Sequence, residues 1–281
     1  MTLPWLAMAL LLAEGGDGLR FEGSVAAGGG YDASLLVAPG SGTTGSAVAT
    51  AGASGGAAAD LGDATSLYLG ARLDGAAVPG IEGLDRGGAG VEASLFWDAF
   101  GPVALVLTPS ATWNWYSDPA RSGAALSVRL TLRVRPLAWL TVRAGYAHQL
   151  ARATDPVYGY DLDRLFGGVE LRLGRGTWLA LTGAGERGDQ TLYRESVLPA
   201  STATPASEPA GGPAAIAAGP STASWEPYRA MATTLGAALG LEQEVGSGLT
   251  VELSAAWRRT ETPDGSSQGP SLFGALVWRV D

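Results

Sequence analysis

The sequence predicts an all-β fold, an antiparallel transmembrane β-barrel of twelve strands, and three observations predict it. Apolar and polar residues alternate with period two from Leu19 onward, with few competing helical faces. The alternating segments are mostly longer than the usual soluble strand of about 5–6 residues and suit a tilted membrane strand of about 9–11. Tight links alternate with long ones along the chain, as in a barrel with short turns at one end and loops at the other.

The elements follow in order. Residues 3–13 (LPWLAMALLLA) form an apolar run followed by small and acidic residues. Its length is that of a secretory h-region and falls short of the roughly 20 residues of a membrane-spanning helix, so 1–18 reads as a signal peptide. No Lys or Arg precedes the run, and a short buried segment is the alternative. Strand 19–31 opens the barrel domain, 19–281. If the tight turns are periplasmic, 19–31 and 64–74 both run outward, so a returning strand is required between them. Within 33–63 the Gly/Ala/Ser/Thr stretch 44–58 is the place for it, and that strand rests on the even-number rule alone.

Strands 88–98 and 103–116 follow, joined at 99–102. Residues 123–135 read GAALSVRLTLRVR, with Ala124, Leu126, Val128, Leu130, Leu132 and Val134 on one face and Ser127, Arg129, Thr131, Arg133 and Arg135 on the other. After a turn at 136–138, Leu140, Val142, Ala144 and Tyr146 alternate with Thr141, Arg143 and Gly145, completing a hairpin with one apolar and one charged face. Arg164, Gly168, Glu170 and Arg172 alternate with Leu165, Val169, Leu171 and Leu173 before a glycine turn into 177–187. A long surface loop, 188–228, contains six prolines in its 198–228 part and almost no charge there. Glu242 and Glu244 alternate with Leu239 and Leu241, then 246–248 turns into a strand carrying Glu252. The final strand, 271–281, places Leu272, Leu276, Trp278 and Val280 on one face.

Composition narrows the function. There is no cysteine and a single histidine, so no disulfide framework, thiol nucleophile or His-rich metal site is expected, and no cofactor or metal is assigned. A formal charge of −9 argues against a nucleic-acid partner. A soluble barrel with an apolar lumen is the alternative architecture. Against it stand a sparsely charged polar face without any lysine, apolar faces almost free of charge, and aromatics near strand ends. Trp97, Trp113, Trp115, Tyr146, Trp257 and Trp278, with Tyr116, form the expected interfacial girdles.

In these hairpins the chain resembles bacterial outer-membrane β-barrel proteins over about 19–281, at the level of architecture. Gly29-Gly30-Tyr31-Asp32 is similar to the opening strand of several such barrels. The last strand alternates as theirs does but ends in Asp281 rather than an aromatic residue. The resemblance implies a Gram-negative outer-membrane location, the lipid bilayer as partner, and insertion by the barrel-insertion machinery.

Two local motifs have the spacing of a site without its context. GAGERG at 183–188 has dinucleotide-site spacing but is followed by a Pro/Ala/Ser loop rather than a crossover helix. His148 shares the apolar face of its strand, where outer-membrane phospholipases place a His and a Ser. Pairing around 136–138 sets Leu126 or Ala124 beside it and no serine, so no catalytic residue is assigned and the chain is not read as an enzyme.

The remaining constellation is the inward charge. Arg129, Arg133, Arg135, Arg143, Arg164 and Arg172 fall on three consecutive strands, flanked by Glu92, Asp98, Glu170, Glu242 and Glu252. Glu242 and Glu252 are expected to be cross-strand neighbours needing a counter-ion or water. Such a wall suits a water-filled constriction, giving a porin-like channel for small solutes. A salt-bridged plug in a narrow lumen is the alternative, with the barrel then displaying loops 188–228 and 38–63 for adhesion or interaction. A membrane-embedded hydrolase ranks last.

Overall fold

A chain crossing a bilayer must pair every backbone donor and acceptor within itself, and a closed ladder of strands does so without helices. The computed structural model describes residues 19–38, 42–79, 81, 83–196 and 224–280. The expected signal segment and residues 197–223 of the expected long loop lie outside the described residues. Twelve antiparallel strands pair in chain order and close into one barrel. They are β1 (Leu19–Ala38), β2 (Gly42–Gly62), β3 (Thr65–Ala77), β4 (Arg86–Phe100), β5 (Val103–Tyr116) and β6 (Gly123–Leu137). The second half is β7 (Leu140–Ala153), β8 (Tyr160–Gly174), β9 (Thr177–Ser196), β10 (Ser224–Gly246), β11 (Leu249–Thr262) and β12 (Gly265–Val280). Pairing of β1 with β12, from Gly23↔Val280 to Asp32↔Ser271, removes both edges.

β2 is the strand that parity demanded. Its outward Ala49, Ala51 and Ala53 and inward Thr50, Gly52 and Ser54 keep the pleat with small residues on both faces. Ser54 and Ser24 share a hydrogen bond of 2.8 Å across the first hairpin. Gly101, Gly176 and Gly248 hold φ of 54°, 72° and 75° in tight turns, a conformation that glycine adopts without a Cβ penalty.

The alternation sorts the two faces. Leu126, Val128, Leu130 and Leu132 point outward and are 42–55% exposed, which in a bilayer is contact with acyl chains. On β8 the outward set Leu165, Val169, Leu171 and Leu173 spans nine residues, with Asp163 beyond it towards the long loops. At about 3.3 Å per residue and a tilt near 40°, that run is close to the roughly 25 Å apolar band of such barrels.

The structure differs from the sequence reading in four places. Residues 42–62 of the expected loop 38–63 are strand β2, paired on both sides. The β6–β7 turn lies at residues 138–139, because a register shift between Val134 and Leu137 absorbs Pro136, which has no N–H to give the ladder. His148 therefore pairs with Val128, not Leu126 or Ala124; no serine faces it from either side. Residues 188–196 and 224–228 are strand rather than loop, since β9 and β10 stay paired to Ser196↔Ser224. Tyr116 lies next in sequence to the outward Trp115 and falls on the interior face, so it is not part of a girdle. GAGERG sits inside β9, paired on both sides, and forms no phosphate loop.

One packing constraint is testable here. A Cβ at Gly145 would collide with the Phe166 ring and the Leu130 carbonyl, whereas one at Gly183 would meet nothing closer than 3.7 Å. Gly145→Val is expected to cost about 1–3 kcal/mol in urea unfolding of the refolded barrel, and Gly183→Ala a small fraction of that.

Candidate functional site: an arginine-lined lumen

Cross-strand register builds the lumen as stacked inward-facing rows. One row runs Thr108, Arg129, Ala147, Arg164, Glu186, Thr234, Thr260 and Ser267 from β5 to β12. Two residues closer to the tight turns, another contains Thr131, Gly145, Phe166, Ala184, Gly236 and Arg258. A third contains Ala104, Arg133, Arg143, Gly168, Thr182, Ala238, Ala256 and Ser271. Apart from Glu186 and Arg258, the residues of these rows on β9–β11 are small and leave room for the long side chains of β6–β8. The result is a cavity of about 440 Å³ lined by Arg129, Arg143, Arg164, Arg258, Phe166 and Glu186, among others.

Each foreseen charge has a definite place. Arg164 Nη1 lies 3.5 Å from Glu186, and the Arg129 guanidinium stands 5.9 Å from the centroid of the Phe166 ring. That ring lies over Gly145, where no side chain competes. Arg133 is directly opposite Arg143. Arg172 is 5.8 Å from the centroid of the Trp178 ring, its cross-strand partner. Arg135 is at the tight-turn rim, its backbone N–H on the Pro102 carbonyl at 2.8 Å. Asp98 is at the same rim opposite Ala104, and Glu170 lies between Thr141 and Ala180. Glu92 lines a smaller adjoining cavity of about 170 Å³ with Arg72 and Arg129.

The six arginines are therefore not one wall: Arg129, Arg143 and Arg164 share the cavity, while Arg135 and Arg172 lie towards the turns. The carboxylate pair Glu242–Glu252 does face across β10–β11, and the counter-ion it needs is Arg279, on β12. Arg279 Nη1 donates to Glu242 at 2.9 Å and Nη2 lies 3.5 Å from Glu252. Sequence reading missed Arg279, Arg72 and Arg258. Parity with the outward Trp257 and Trp278 was the signal that assigns Arg258 and Arg279 inward.

At the long-loop mouth the interior turns apolar. Val48, Val78, Leu162, Leu192 and Ala232 are all buried there, Leu192 completely, and β9 reaches towards β1 across the opening. The collar is tied down by polar contacts. Ser46 donates to the Pro79 carbonyl, Val78 N–H to Asp85 at 2.7 Å, and Thr191 to the Val157 carbonyl at 2.9 Å. Arg121 stacks on Tyr158 at 4.6 Å, joining two neighbouring loops.

On the outer wall, Trp97, Trp113, Trp115, Tyr146, Trp257 and Trp278 are all exposed, with Trp139 and Phe100 completing the tight-turn end. Tyr146 donates to Asp163, and His148 Nδ1 lies 3.1 Å from the same carboxylate. Among the described residues no group of three or more His, Asp or Glu side chains is arranged to hold a metal ion.

No protein-family model matches this sequence, and no curated protein matches it. Solved structures do. An outer membrane channel from Pseudomonas putida F1 aligns with a TM-score of 0.60 at 10% identity, covering 94% of this chain and 96% of that one. The KdgM porin aligns with a TM-score of 0.50 at 9% identity, covering 91% and 98%. At these identities the likeness is one of fold: this is the architecture of outer-membrane β-barrel porins and channels.

The Arg279 triad yields a stability test. Arg279→Ala leaves two carboxylates facing each other and is expected to lower the unfolding free energy measured in urea by roughly 1 kcal/mol, given their partial exposure. Adding Glu252→Gln should recover most of the loss, because it removes the repulsion that Arg279 screens.

Proposed function

We propose that the protein is a porin-like channel of the Gram-negative outer membrane, passing small solutes through its arginine-lined lumen. In this reading 1–18 is a removed signal peptide, the tight turns are periplasmic, and the insertion machinery and lipid bilayer are its partners. The observation that carries it is the shared cavity: Arg129, Arg143, Arg164 and Arg258 face one interior space with a single carboxylate, Glu186, among them. Guanidinium groups stay protonated at any working pH, so the passage is locally positive although the whole chain is negative. The fold likeness to outer-membrane channels supports the location.

The second reading, a barrel that displays its loops for interaction without conducting, draws on the apolar collar. Hydrophobic constrictions resist wetting and oppose ion passage. Conductance in planar bilayers separates the two.

Heat-modifiable gel mobility in outer-membrane fractions is the expected location result, and recovery as a soluble monomer without detergent would contradict it. In a salt gradient the reversal potential should report anion preference, and Arg133→Ser with Arg143→Ser should reduce it while raising conductance. Unchanged selectivity in that open double variant would remove these arginines from the pathway. Leu192→Ser should raise single-channel conductance severalfold by letting water into the collar. Silence of both wild type and Leu192→Ser favours the loop-display reading.

A further inference from the structure

We propose that the arginine cavity is a binding site for a small organic anion carrying two or more separated carboxylates. The proposal rests on the arginine-lined-lumen reading above and adds to it a retained ligand of stated chemistry. Three features carry it: uncompensated charge, spacing and shape.

Arg164 is the cavity's one arginine with an ion pair, to Glu186. Among the described residues, the side chains of Arg129, Arg143 and Arg258 make no hydrogen bond or ion pair, and Arg133 adds a further cation directly opposite Arg143. Of the other inward carboxylates, Glu170 lies two residues beyond the Gly168 that faces Arg143, towards the tight turns, and Glu92 belongs to the adjoining space that Arg72 also lines. Near the tight turns, by contrast, Arg279 pairs with Glu242 and Glu252, and on β1 Arg20 pairs with Asp60 at 3.2 Å. Like charges gathered in a half-enclosed space attract anions into it.

Spacing identifies the anion. Arg129 and Arg164 flank Ala147 in one row, so their backbones are two strand spacings apart, roughly 10 Å. Arg143 is on the intervening strand four residues towards the tight turns, about 13 Å along it. Arg258 approaches from β11, several strands away. A compact anion such as phosphate engages one such fork at a time, whereas separated carboxylates engage several, each suited to a bidentate guanidinium contact. Thr131, Thr182 and Gln149 supply neutral donors between the forks, and Phe166 braces the Arg129 guanidinium. The volume, about 440 Å³, is that of a small-molecule site.

The test is calorimetric titration of the whole folded barrel in detergent with citrate, acetate and inorganic phosphate, paired with bilayer recordings in chloride. Citrate should bind saturably and at least tenfold more tightly than acetate or phosphate. Arg143→Ser and Arg258→Ser should each weaken it tenfold or more, while Arg175→Ser, in a tight turn, leaves it unchanged. Where a serine variant gives no heat-modifiable barrel, Arg143→Lys and Arg258→Lys keep the charge, lose the fork and should still weaken citrate severalfold. Equal binding of the three anions, or citrate affinity indifferent to Arg143 and Arg258, overturns the proposal. Chloride current that citrate neither blocks nor binds against overturns it too, and leaves the channel standing. Citrate binding without any current supports the site and removes the channel reading.

Discussion

Closure of the backbone ladder is the constraint on which everything else in this barrel depends. In hydrocarbon an unpaired N–H or C=O costs several kcal/mol, so the first strand must find the last. β1 does so along ten residues of β12. Once the ring closes, period-two alternation has only two directions left, lipid and lumen. Leucine and valine go to the first, and arginine, glutamate, serine and threonine to the second, because a guanidinium facing acyl chains near the bilayer centre would cost roughly 2–4 kcal/mol.

Closure also explains how a fold with so few buried side chains holds together. Few of the described residues are fully buried: Leu192 and Ala232 at the long-loop mouth, and Ala147 and Thr260 in the row of Arg129. The membrane supplies the apolar environment that a soluble protein builds inside itself. The interior is free to be polar, and its charges are arranged by level. A compensated triad sits near the tight turns, a cavity with one ion pair among its four arginines lies in the middle, and an apolar collar caps the far end. Each level is set by cross-strand register, so one slipped strand would scramble all three.

Most of the fold was legible in the sequence because the strands of the second half carry large apolar residues against charges. β2 was legible only through parity: with Ala, Gly, Ser and Thr on both faces it has no contrast to read, and only the need for an even, closed ring places it. The turn after β6 was displaced by a bulge at Pro136, which sequence alternation alone does not reveal. The inward face of β6–β8 was also legible. What was not is which arginines meet. Arg258 and Arg279 come from strands distant in sequence, and Arg258 is followed by the outward Arg259, so charge alone did not separate the two faces. Phe166 over Gly145, which braces Arg129, depends on register that only the folded ladder supplies.

The most direct measurement uses the absence of cysteine in this chain. Single cysteines placed at 128, 129, 130 and 131 on β6, spin-labelled in bilayers, report contact with lipid-soluble oxygen against a water-soluble nickel chelate. Strict alternation is expected: oxygen contact high at 128 and 130, where Val128 and Leu130 face lipid, and low at 129 and 131, which face the lumen. Equal accessibility at all four positions, or alternation of the opposite phase, would contradict it.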